Sequence, residues 1–315
     1  MATQLSIVIV NWNSGQLLRQ CLRSIEEVHG EGFEFEQIVI VDNCSTDGSA
    51  EGLMCTKLPL NVLRNTENKG FAAACNQGAK NSQADFLLFL NPDTCITQEA
   101  LRISLGYMSS ESAQGIGICG VRMLDENGVT HRSCTRFPTP AMFVADSLGL
   151  DRVLPRVLPG HFMREWDHLQ DRMVDHVIGA FYLVRREVFV TLNGFDERFF
   201  VYLEDLDFSR RADALGWKTQ YLAAPAIFHK GGGSSEQVKA KRLFYATRSR
   251  ILYGFKHFDA IPAWSLLIVA LLIEPFLRLA VGVAKRSFTT IREIISGYRM
   301  LYQTLPETLE LARKQ

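Results

Sequence analysis

The chain has 315 residues, of which 47% are hydrophobic and 22% are charged, so it is long enough for one large domain or two ordinary ones with a buried core. Lysine and arginine together number 34, as do aspartate and glutamate, and this balance argues against a nucleic-acid partner. The ordinary composition also argues against disorder and fibrous repeats. We therefore predict a packed protein of enzyme size.

Short apolar runs alternate with helix-like segments at the start of the chain. The runs cover residues 5–13, 36–45, 61–65 and 84–94, and the helix-like segments cover 15–28, 47–54 and 70–80. This alternation predicts a parallel sheet with helices on both faces. The runs are apolar at successive positions, as strands buried on both faces require.

Each of these runs ends in asparagine or aspartate. The residues at the ends are Asn11, Asn13, Asp42, Asn43, Asn65, Asn68, Asn91 and Asp93. In open α/β sheets, ligands bind outside the carboxyl ends of the strands. Four polar ends in succession therefore predict one binding site along a single edge of the sheet.

Two carboxylates at this edge have more than one interpretation. Asp93 follows a buried run and Pro92, and it can bind a divalent cation together with substrate phosphates or form an Asx turn that leads into a helix near Thr97. Asp42 can accept a hydrogen bond from the ribose or base of a nucleotide, or it can be solvated in a loop. The residues alone leave these alternatives open.

The segment NKGFAAACNQGA, residues 68–79, places Gly70 and three alanines at the start of a helix. Small residues allow close backbone approach, and a helix N-terminus favours anions such as a diphosphate. Tight packing of the helix on the sheet explains the same residues.

A further helix is predicted from near Glu204 to Gly216. On a helical period, one face carries Asp205, Phe208, Ala212 and Leu215. We therefore expect Asp205 to point inward, where a carboxylate can take a proton from a bound hydroxyl. The alternative is a first-turn acid that stabilises the helix dipole.

The same helix contains an oppositely charged pair. Asp207 and Arg211 are four residues apart, and this spacing allows an ion pair along a helix. We expect the pair on the outer, solvated face.

The segment FHKGGGSS places His229 before three glycines. The histidine is interpreted either as a metal ligand or as a structural residue, and the glycines predict a flap.

The seven cysteines show no CxxC pair, which indicates free thiols in a reducing cytosol. The proline-rich residues 136–166 are predicted to be an irregular loop that shapes a second pocket.

Residues 261–284 form the longest apolar stretch of the chain. Its uncharged core, 266–273, is shorter than the roughly 20 residues of a membrane-spanning helix, and Glu274, Pro275 and Arg278 interrupt the remainder of the stretch. Basic residues flank the stretch on both sides. We predict helices that lie on an anionic membrane surface; a buried helix or a dimer face is the alternative.

In order and spacing, these segments resemble the family-two glycosyltransferases of the GT-A fold, and most closely their bacterial rhamnosyltransferase branch. The motifs are SIVIVNWN, VDNCSTDGS, NKGFAAACNQG, FLNPDT and the run from GFDERFFVYLEDLDF to FHKGGGSS. The resemblance covers residues 4–260. It implies an α/β fold with a Rossmann-like, mainly parallel sheet flanked by helices, followed by a C-terminal helical membrane-associating extension.

The resemblance implies three parts of the chain and a set of site residues. The parts are a nucleotide-sugar-binding half at 1–95, an acceptor-binding and catalytic half at 96–258, and C-terminal helices at 259–315. The implied donor-binding residues are Asn11, Asp42, Asn68, Lys69, Gly70, Asn91 and Asp93. Asp205 is the implied base, with Glu204 beside it. Asp93 is the implied ligand of Mg²⁺ or Mn²⁺, although Asn91 stands where the family usually has a first aspartate. His229 is the candidate second metal ligand, with a structural role as its alternative.

The implied reaction transfers a sugar with inversion from a nucleoside-diphosphate donor, dTDP-L-rhamnose first and a UDP-hexose second. The implied acceptor is a saccharide, either free or linked to a polyprenyl diphosphate. We expect a cytoplasmic protein bound peripherally to the inner face of the cell membrane, and a homodimer is left open. A sugar-nucleotide nucleotidyltransferase is less favoured because VNWNSGQLL lacks a glycine-rich, arginine-containing loop.

Overall fold

The structure is a computed structural model that describes residues 2–30, 32–53, 57–158, 160–231 and 238–313. The chain forms two compact units, each discontinuous in sequence. Unit 1 comprises Met1–Arg136, Phe162–Glu197 and Glu204–Ser234, and unit 2 comprises Phe137–His161, Arg198–Leu203 and Ser235–Gln315. The division of the chain at residues 95 and 258 stays a prediction.

Eleven strands are present in the part of the chain that the structure describes. They are β1 (Thr3–Asn11), β2 (Phe33–Asp42), β3 (Leu60–Arg64), β4 (Phe86–Leu90), β5 (Thr94–Cys95), β6 (Ile116–Leu124), β7 (Cys134–Thr135), β8 (Arg172–Val174), β9 (His176–Val177), β10 (Phe181–Arg185) and β11 (Lys218–His229). Nine of them form one sheet in the order β3-β2-β1-β4-β10-β6-β11-β5, with β8 beside β11, while β7 and β9 form a small second sheet. All eleven belong to unit 1.

The large sheet is mainly parallel, as predicted. Strands β1, β2, β3 and β4 run parallel to their neighbours in this group, and β6 pairs parallel with β11. Strand β10 is antiparallel to both β4 and β6. Because β10 runs the other way, its first residues lie beside the last residues of β4.

The helices follow in chain order. They are α1 (Gln16–Glu26), α2 (Phe71–Ala79), α3 (Gln98–Met108), α4 (Pro140–Leu148), α5 (Leu150–Val153), α6 (Arg186–Thr191), α7 (Glu204–Ala214), α8 (Lys239–His257), α9 (Ala260–Ile268), α10 (Glu274–Ala284), α11 (Phe288–Gln303) and α12 (Leu305–Arg313). Helices α4, α5 and α8 to α12 belong to unit 2.

Helices cover both faces of the sheet in unit 1. Along β1, Ile7 and Ile9 lie in one buried cluster with residues of α1 and α3. Val8 and Val10 lie in a second cluster with residues of α2 and α7. This alternation is the period of two expected of a strand, and it confirms burial on both sides.

The predicted helix at 47–54 does not form over residues 47–53. Gly48 and Gly52 have φ angles of 73° and 58°, which do not fit a right-handed helix. The Asp47 carboxylate accepts hydrogen bonds from the backbone N–H groups of Ser49 and Gly15. These bonds hold the segment as a loop, a common alternative to helix for aspartate.

The region 136–166 is more regular than predicted, because it contains α4 and α5. Helix α4 begins with Pro140 in its first turn, and the Thr139 hydroxyl accepts a hydrogen bond from the Met142 N–H. Proline is favourable at this position of a helix. Pro140, one of the prolines that suggested a loop, therefore marks a helix start.

Glu274 and Pro275 do not interrupt the C-terminal apolar stretch. Helix α9 continues through a π-helical segment, Val269–Ile273, into α10. The Glu274 side chain is fully buried and binds Arg250 and Arg278. By length and composition alone, the 25 residues Ala260–Ala284 could cross a membrane, with 33% of the apolar window buried.

We predict that α2 can pack this closely on the sheet only because residue 78 is a glycine and has no side chain. A Cβ at this position would lie 2.5 Å from Cγ1 of Val8 and 3.1 Å from Cγ2 of Val41. We expect Gly78→Ala to lower the free energy of unfolding by about 1–3 kcal/mol, measured by urea denaturation.

The matched control is Gly106, which lies in α3 and where a Cβ would have no neighbouring atom within 4 Å. Gly106→Ala should raise the free energy of unfolding by about 0.5–1 kcal/mol. Equal effects of the two substitutions would contradict close packing at Gly78.

Candidate active site

Asn11 and Asp42 end the neighbouring strands β1 and β2 and pair with each other. The Asn11 amide Nδ2 donates to Asp42 Oδ1 at 2.9 Å, and it lies 3.0 Å from Ser45 Oγ and 2.9 Å from Ser49 Oγ. Asn11 is fully buried. Its contacts orient the Asp42 carboxylate and the loop that follows β2.

Asn43, one of the predicted polar strand ends but not one of the implied donor-binding residues, joins three parts of this edge. Its Oδ1 accepts from Asn65 Nδ2 at 2.9 Å and from the Lys69 N–H at 3.3 Å, while its Nδ2 donates to the Gly70 carbonyl at 2.9 Å. The signal in the sequence was its position directly after Asp42. Asn43 therefore connects the ends of β2 and β3 to the start of α2.

Helix α2 begins at Phe71, directly after Gly70. Gly70 has a φ of 88°, in the left-handed region that favours glycine. Its N–H donates to the Asn68 side-chain oxygen at 2.9 Å, and Lys69 is exposed. The predicted residues 68–70 therefore form the turn that leads into this helix, and a helix start attracts anions.

Asp93 and His229 are brought together by the pairing of β5 with β11. Thr94, the first residue of β5, pairs with His229. His229 Nε2 lies 3.4 Å from Asp93 Oδ1, and the Lys230 N–H donates to the Asp93 carbonyl at 3.1 Å. His229 is buried, and its Nδ1 has no hydrogen-bond partner in the described part of the chain.

The donors at Asp93 and His229 are suited to a divalent cation only if other ligands complete the site. Within the described residues, no group of three or more His, Cys, Asp or Glu side chains could hold a metal. Mg²⁺ commonly binds through one or two carboxylates and substrate phosphates, and Mn²⁺ accepts oxygen and imidazole ligands. The pair fits a shared site of this kind, in which a substrate would supply the remaining oxygens.

Asp205 lies in the first turn of α7, and its side chain points inward as predicted. Its Oδ2 accepts a hydrogen bond from the Gly179 N–H at 2.7 Å, and its Oδ1 accepts from the Leu206 N–H at 2.8 Å. A Cβ at Gly179 would lie 3.0 Å from Oδ2, so glycine permits this approach. The Asp205 side chain remains 16% exposed, which leaves it accessible to a ligand.

The Asp205 carboxylate lies near the end of β4. Gly179 precedes Ala180, and the Ala180 carbonyl accepts from the Asn91 N–H at 3.0 Å. Asn91 follows β4 directly and begins the turn that contains Asp93. The antiparallel pairing of β4 and β10 thus brings the two predicted carboxylates to one end of the sheet.

The chain enters α7 through an unusual backbone conformation. Tyr202 and Leu203 have φ angles of 70° and 67°, which are uncommon for residues other than glycine. Such conformations cluster at functional sites. They were not visible in the sequence, which shows no glycine at either position.

The expectation for Asp207 and Arg211 is wrong in one respect. The two side chains do pair, with Arg211 Nε 2.8 Å from Asp207 Oδ2, but the Asp207 side chain is fully buried. Arg211 also donates to the carbonyls of Leu192 and Gly194. The pair therefore ties α7 to the turn after α6.

Leu215 lies beyond the end of α7 and is 56% exposed, so the apolar stripe is shorter than predicted.

Glu204 and Asp205 are adjacent but have different environments. Glu204 is buried, and its Oε2 has no hydrogen-bond partner among the described residues. Burial, and next the charges of Asp205 and Asp207, raise the pKa of Glu204 well above its ordinary value of 4.5. Burial therefore favours the protonated form of Glu204, whereas the Asp205 carboxylate keeps partial access to solvent.

Two basic residues, Lys230 after β11 and Arg248 in α8, have partners within their own units. Lys230 lies 3.9 Å from Glu126. Arg248, in unit 2, donates to the Arg198 carbonyl and lies 3.7 Å from Glu307. Most of the predicted glycine flap, from residue 232 onward, lies outside the described residues.

The sequence matches the family described as Glycosyl transferase family 2 over residues 6–193. It is 24% identical over 269 residues to the N-acetylglucosaminyl-diphospho-decaprenol L-rhamnosyltransferase of Mycobacterium tuberculosis strain H37Rv, covering 80% of this chain and 84% of the relative. It is 29% identical over 171 residues to the rhamnosyltransferase WbbL of Escherichia coli K12, covering 54% and 61% respectively.

The fold is similar to a solved mannosyltransferase, PcManGT from Pyrobaculum calidifontis in complex with GDP-Man and Mn²⁺. The TM-score is 0.52 at 17% identity, and the match covers 99% of this chain and 86% of that chain. At this identity the likeness concerns the fold alone.

The raised pKa of Glu204 predicts a pH-dependent effect of Glu204→Gln. A carboxyl whose pKa is raised in the folded state gives its full contribution below the unfolded-state value, near 4.5, and loses it as the pH rises. The stability of the variant relative to wild type should therefore increase above pH 4.5, by up to about 1.4 kcal/mol per pH unit. Urea denaturation between pH 4.5 and pH 8 measures this difference.

Glu36→Gln is a control for which we expect the opposite change in stability with pH. Despite partial burial, hydrogen bonds from Ser6, Ser82, Gln83 and Ala84 hold the pKa of Glu36 below its ordinary value of 4.5. This substitution should destabilise above pH 4.5, and the deficit should shrink at lower pH. A Glu204→Gln effect that does not vary with pH would show that Glu204 is ionised in the folded protein.

Proposed function

The chain belongs to glycosyl transferase family 2 and has a GT-A-like fold, and from this premise we propose that it is an inverting glycosyltransferase that moves L-rhamnose from dTDP-L-rhamnose to a hydroxyl of a saccharide. The observation that carries the proposal is the Asp205 carboxylate, which the Gly179 N–H holds beside the end of β4. A base for the acceptor hydroxyl and the polar strand ends for a donor therefore lie on one edge of the sheet.

The choice of rhamnose rests on the relatives. The two relatives described above, from Mycobacterium tuberculosis and Escherichia coli, are both named as rhamnosyltransferases. The first name also describes an acceptor in which a sugar is linked through diphosphate to a polyprenol. We take a lipid-linked saccharide of this kind as the acceptor, with a function in cell-surface polysaccharide synthesis.

The donor would lie along the ends of β1, β2 and β4. The Asp42 carboxylate, oriented by Asn11, is suited to accept hydrogen bonds from the nucleoside. The turn at Lys69 and Gly70 and the start of α2 face the diphosphate in this arrangement, where backbone N–H groups stabilise negative charge. Asp93 and His229 would hold Mg²⁺ or Mn²⁺, which neutralises charge on the departing diphosphate.

Asp205 is the proposed general base. As the bond between the sugar and the diphosphate breaks, the acceptor hydroxyl attacks the anomeric carbon from the opposite side and its proton passes to the Asp205 carboxylate. A single displacement of this kind inverts the configuration. Burial raises the pKa of Glu204 and so favours its protonated form, and for this reason we assign the proton transfer to Asp205, which is partly exposed.

The C-terminal helices of unit 2 provide the proposed membrane contact. Along Ala260–Ala284 the exposed apolar residues are Ile261, Trp264, Ile268, Leu272, Ile273, Phe276, Leu277, Val281 and Val283. The basic residues Lys285 and Arg286 follow, and both are exposed. An apolar face bordered by basic residues is suited to the surface of an anionic leaflet.

We propose that this segment lies in the plane of the membrane rather than crossing it. Its other face packs on α4, α8 and α11, and α8 contains six lysine and arginine residues. The buried Glu274 binds Arg250 of α8 and Arg278. A spanning orientation would draw these charged helices into hydrocarbon, which is strongly unfavourable.

A donor screen tests the reaction. Purified protein is incubated with dTDP-, UDP- or GDP-sugars and Mg²⁺ or Mn²⁺, and nucleoside-diphosphate release and product anomer are measured with polyprenyl-diphosphate-linked N-acetylglucosamine as acceptor. Preferred use of dTDP-L-rhamnose with inversion supports the proposal. Preferred use of a UDP-hexose would show that the donor is a UDP-sugar and not dTDP-L-rhamnose. Retention of configuration at the anomeric carbon would exclude the single-displacement mechanism.

The Asp205→Asn variant tests the assigned base in the same assay. General base assistance contributes typically about 10²–10⁴-fold, so we expect turnover to fall by a factor in this range. Donor affinity, measured by calorimetry, should stay unchanged because Asp205 faces the acceptor. Weak donor binding with normal turnover would contradict this assignment.

Vesicle flotation tests the membrane contact. We expect the protein to float with vesicles that contain phosphatidylglycerol and to bind weakly to phosphatidylcholine vesicles. Ile268→Ser with Phe276→Ser should weaken binding by about tenfold or more, because each side chain loses the benefit of apolar burial. Val190→Ser, which changes a similarly exposed residue of α6 in unit 1, is the matched control. Equal binding by both variants would contradict this contact surface.

A further inference from the structure

A chain of buried polar side chains lies behind the Asp205 carboxylate. His176 Nε2 is 3.6 Å from Asp205 Oδ2, and His176 Nδ1 is 3.0 Å from Ser209 Oγ. Ser209 Oγ in turn is 2.6 Å from the Tyr182 hydroxyl. All three residues of the chain are at least 97% buried, with exposures of 3%, 1% and 0%.

The order of donors in this chain decides which ring nitrogen of His176 carries the proton. The Tyr182 hydroxyl lies 2.6 Å from Ser209 Oγ and 3.2 Å from the Asp205 carbonyl, to which it can also donate. If Tyr182 donates along the shorter contact to Ser209 and Ser209 donates to Nδ1, the proton of the imidazole lies on Nε2 and faces the carboxylate. The opposite order would place the lone pair of Nε2 against a negative oxygen in a buried site. That contact is repulsive, and low polarity strengthens the repulsion.

We propose that His176 is a positioning residue for the base: Ser209 and Tyr182 hold it as the Nε2–H tautomer, and its N–H orients the Asp205 carboxylate and stabilises its negative charge. The inference rests on the proposed role of Asp205 in proton transfer. The 3.6 Å separation is just beyond hydrogen-bonding length, and such contacts often shorten when substrate binds.

The geometry around Asp205 makes the contribution of His176 specific. Asp205 Oδ2 receives the Gly179 N–H from one side and faces His176 from another. The other charged or titratable groups that face Asp205 or the polar chain are Glu204 and Asp207 on α7, Asp175 before β9, Tyr182 on β10, Cys75 on α2 and Arg211. Burial lowers the pKa of His176, although Asp205 and Asp175 oppose the shift, so the imidazole is a neutral donor at physiological pH.

The protein contains an internal comparison for this assignment. His168 is also fully buried in unit 1, but its Nε2 accepts the Cys134 N–H at 3.2 Å. Its Nδ1 therefore carries the proton and donates to the Trp166 carbonyl at 3.0 Å. The two buried histidines are expected to be opposite tautomers, although both lie in an apolar core.

The first test is nuclear magnetic resonance of the full chain labelled with ¹⁵N-histidine, with peaks assigned by His176→Gln and His168→Gln. We expect a neutral Nε2–H ring at 176 and a neutral Nδ1–H ring at 168 between pH 6 and pH 8. Ser209→Ala should allow the Nδ1–H form at 176 to appear. An Nδ1–H ring at 176 in the wild type would overturn the proposal, and this result does not depend on enzymatic activity.

The second test is the pH dependence of sugar transfer. Because His176→Phe removes the N–H group that faces the carboxylate, we expect it to shift the acidic limb of the kcat profile upward by about 0.5–1 pH unit. His176→Gln retains an N–H group and should shift it less. A reduction in kcat that is equal at all pH values would show a purely structural role.

His168→Gln controls for the removal of a buried histidine, and it should leave the acidic limb in place even if the protein becomes less stable. The outcomes also separate this inference from the proposed function. If the wild-type protein transfers no sugar from any donor, the proposed function fails, while the tautomer measurement still decides the orientation of His176.

Discussion

Burial of the central strands on both faces is the constraint on which the candidate site depends. All five residues of β4 and the last seven of β1 are buried, so these strands have no exposed side on which to carry polar chemistry. Functional groups can therefore appear only where the strands end. At those ends Asn11, Asp42 and Asn43 bind one another and the adjoining loops, and the site is held by the same elements that form the core.

Strand β10 completes the site because its direction differs from that of its neighbours. A parallel strand would begin at the far edge, whereas β10 begins beside the end of β4. Gly179 can therefore anchor the Asp205 carboxylate next to Asn91. The acids of α7 have different surroundings: Asp207 pairs with Arg211, burial raises the pKa of Glu204, and Asp205 retains access to solvent. One helical turn thus contains three carboxyl groups in three distinct environments.

Local patterns in the sequence predicted the sheet, its polar edge and the inward direction of Asp205, because these depend on strand and helix periods that neighbouring residues reveal. Other features depend on partners far away in the chain. The burial of Asp207 follows from carbonyls at Leu192 and Gly194 that accept from Arg211, and the loop at 47–53 follows from the Gly15 N–H. The contact between His229 and Asp93 requires the pairing of β5 with β11, which no short motif indicates.

The interleaving of the two units along the chain has a consequence for synthesis on the ribosome. Helices α4 and α5 emerge from the ribosome before α8 to α12, with which they form unit 2. Their apolar side chains therefore stay uncovered until those later helices have been translated. Unit 1 in turn needs β11 for its sheet and cannot close until residue 229 has emerged. Nascent chains are most vulnerable to aggregation while such surfaces are uncovered. Unit 2 can therefore assemble only after α12 has emerged from the ribosome.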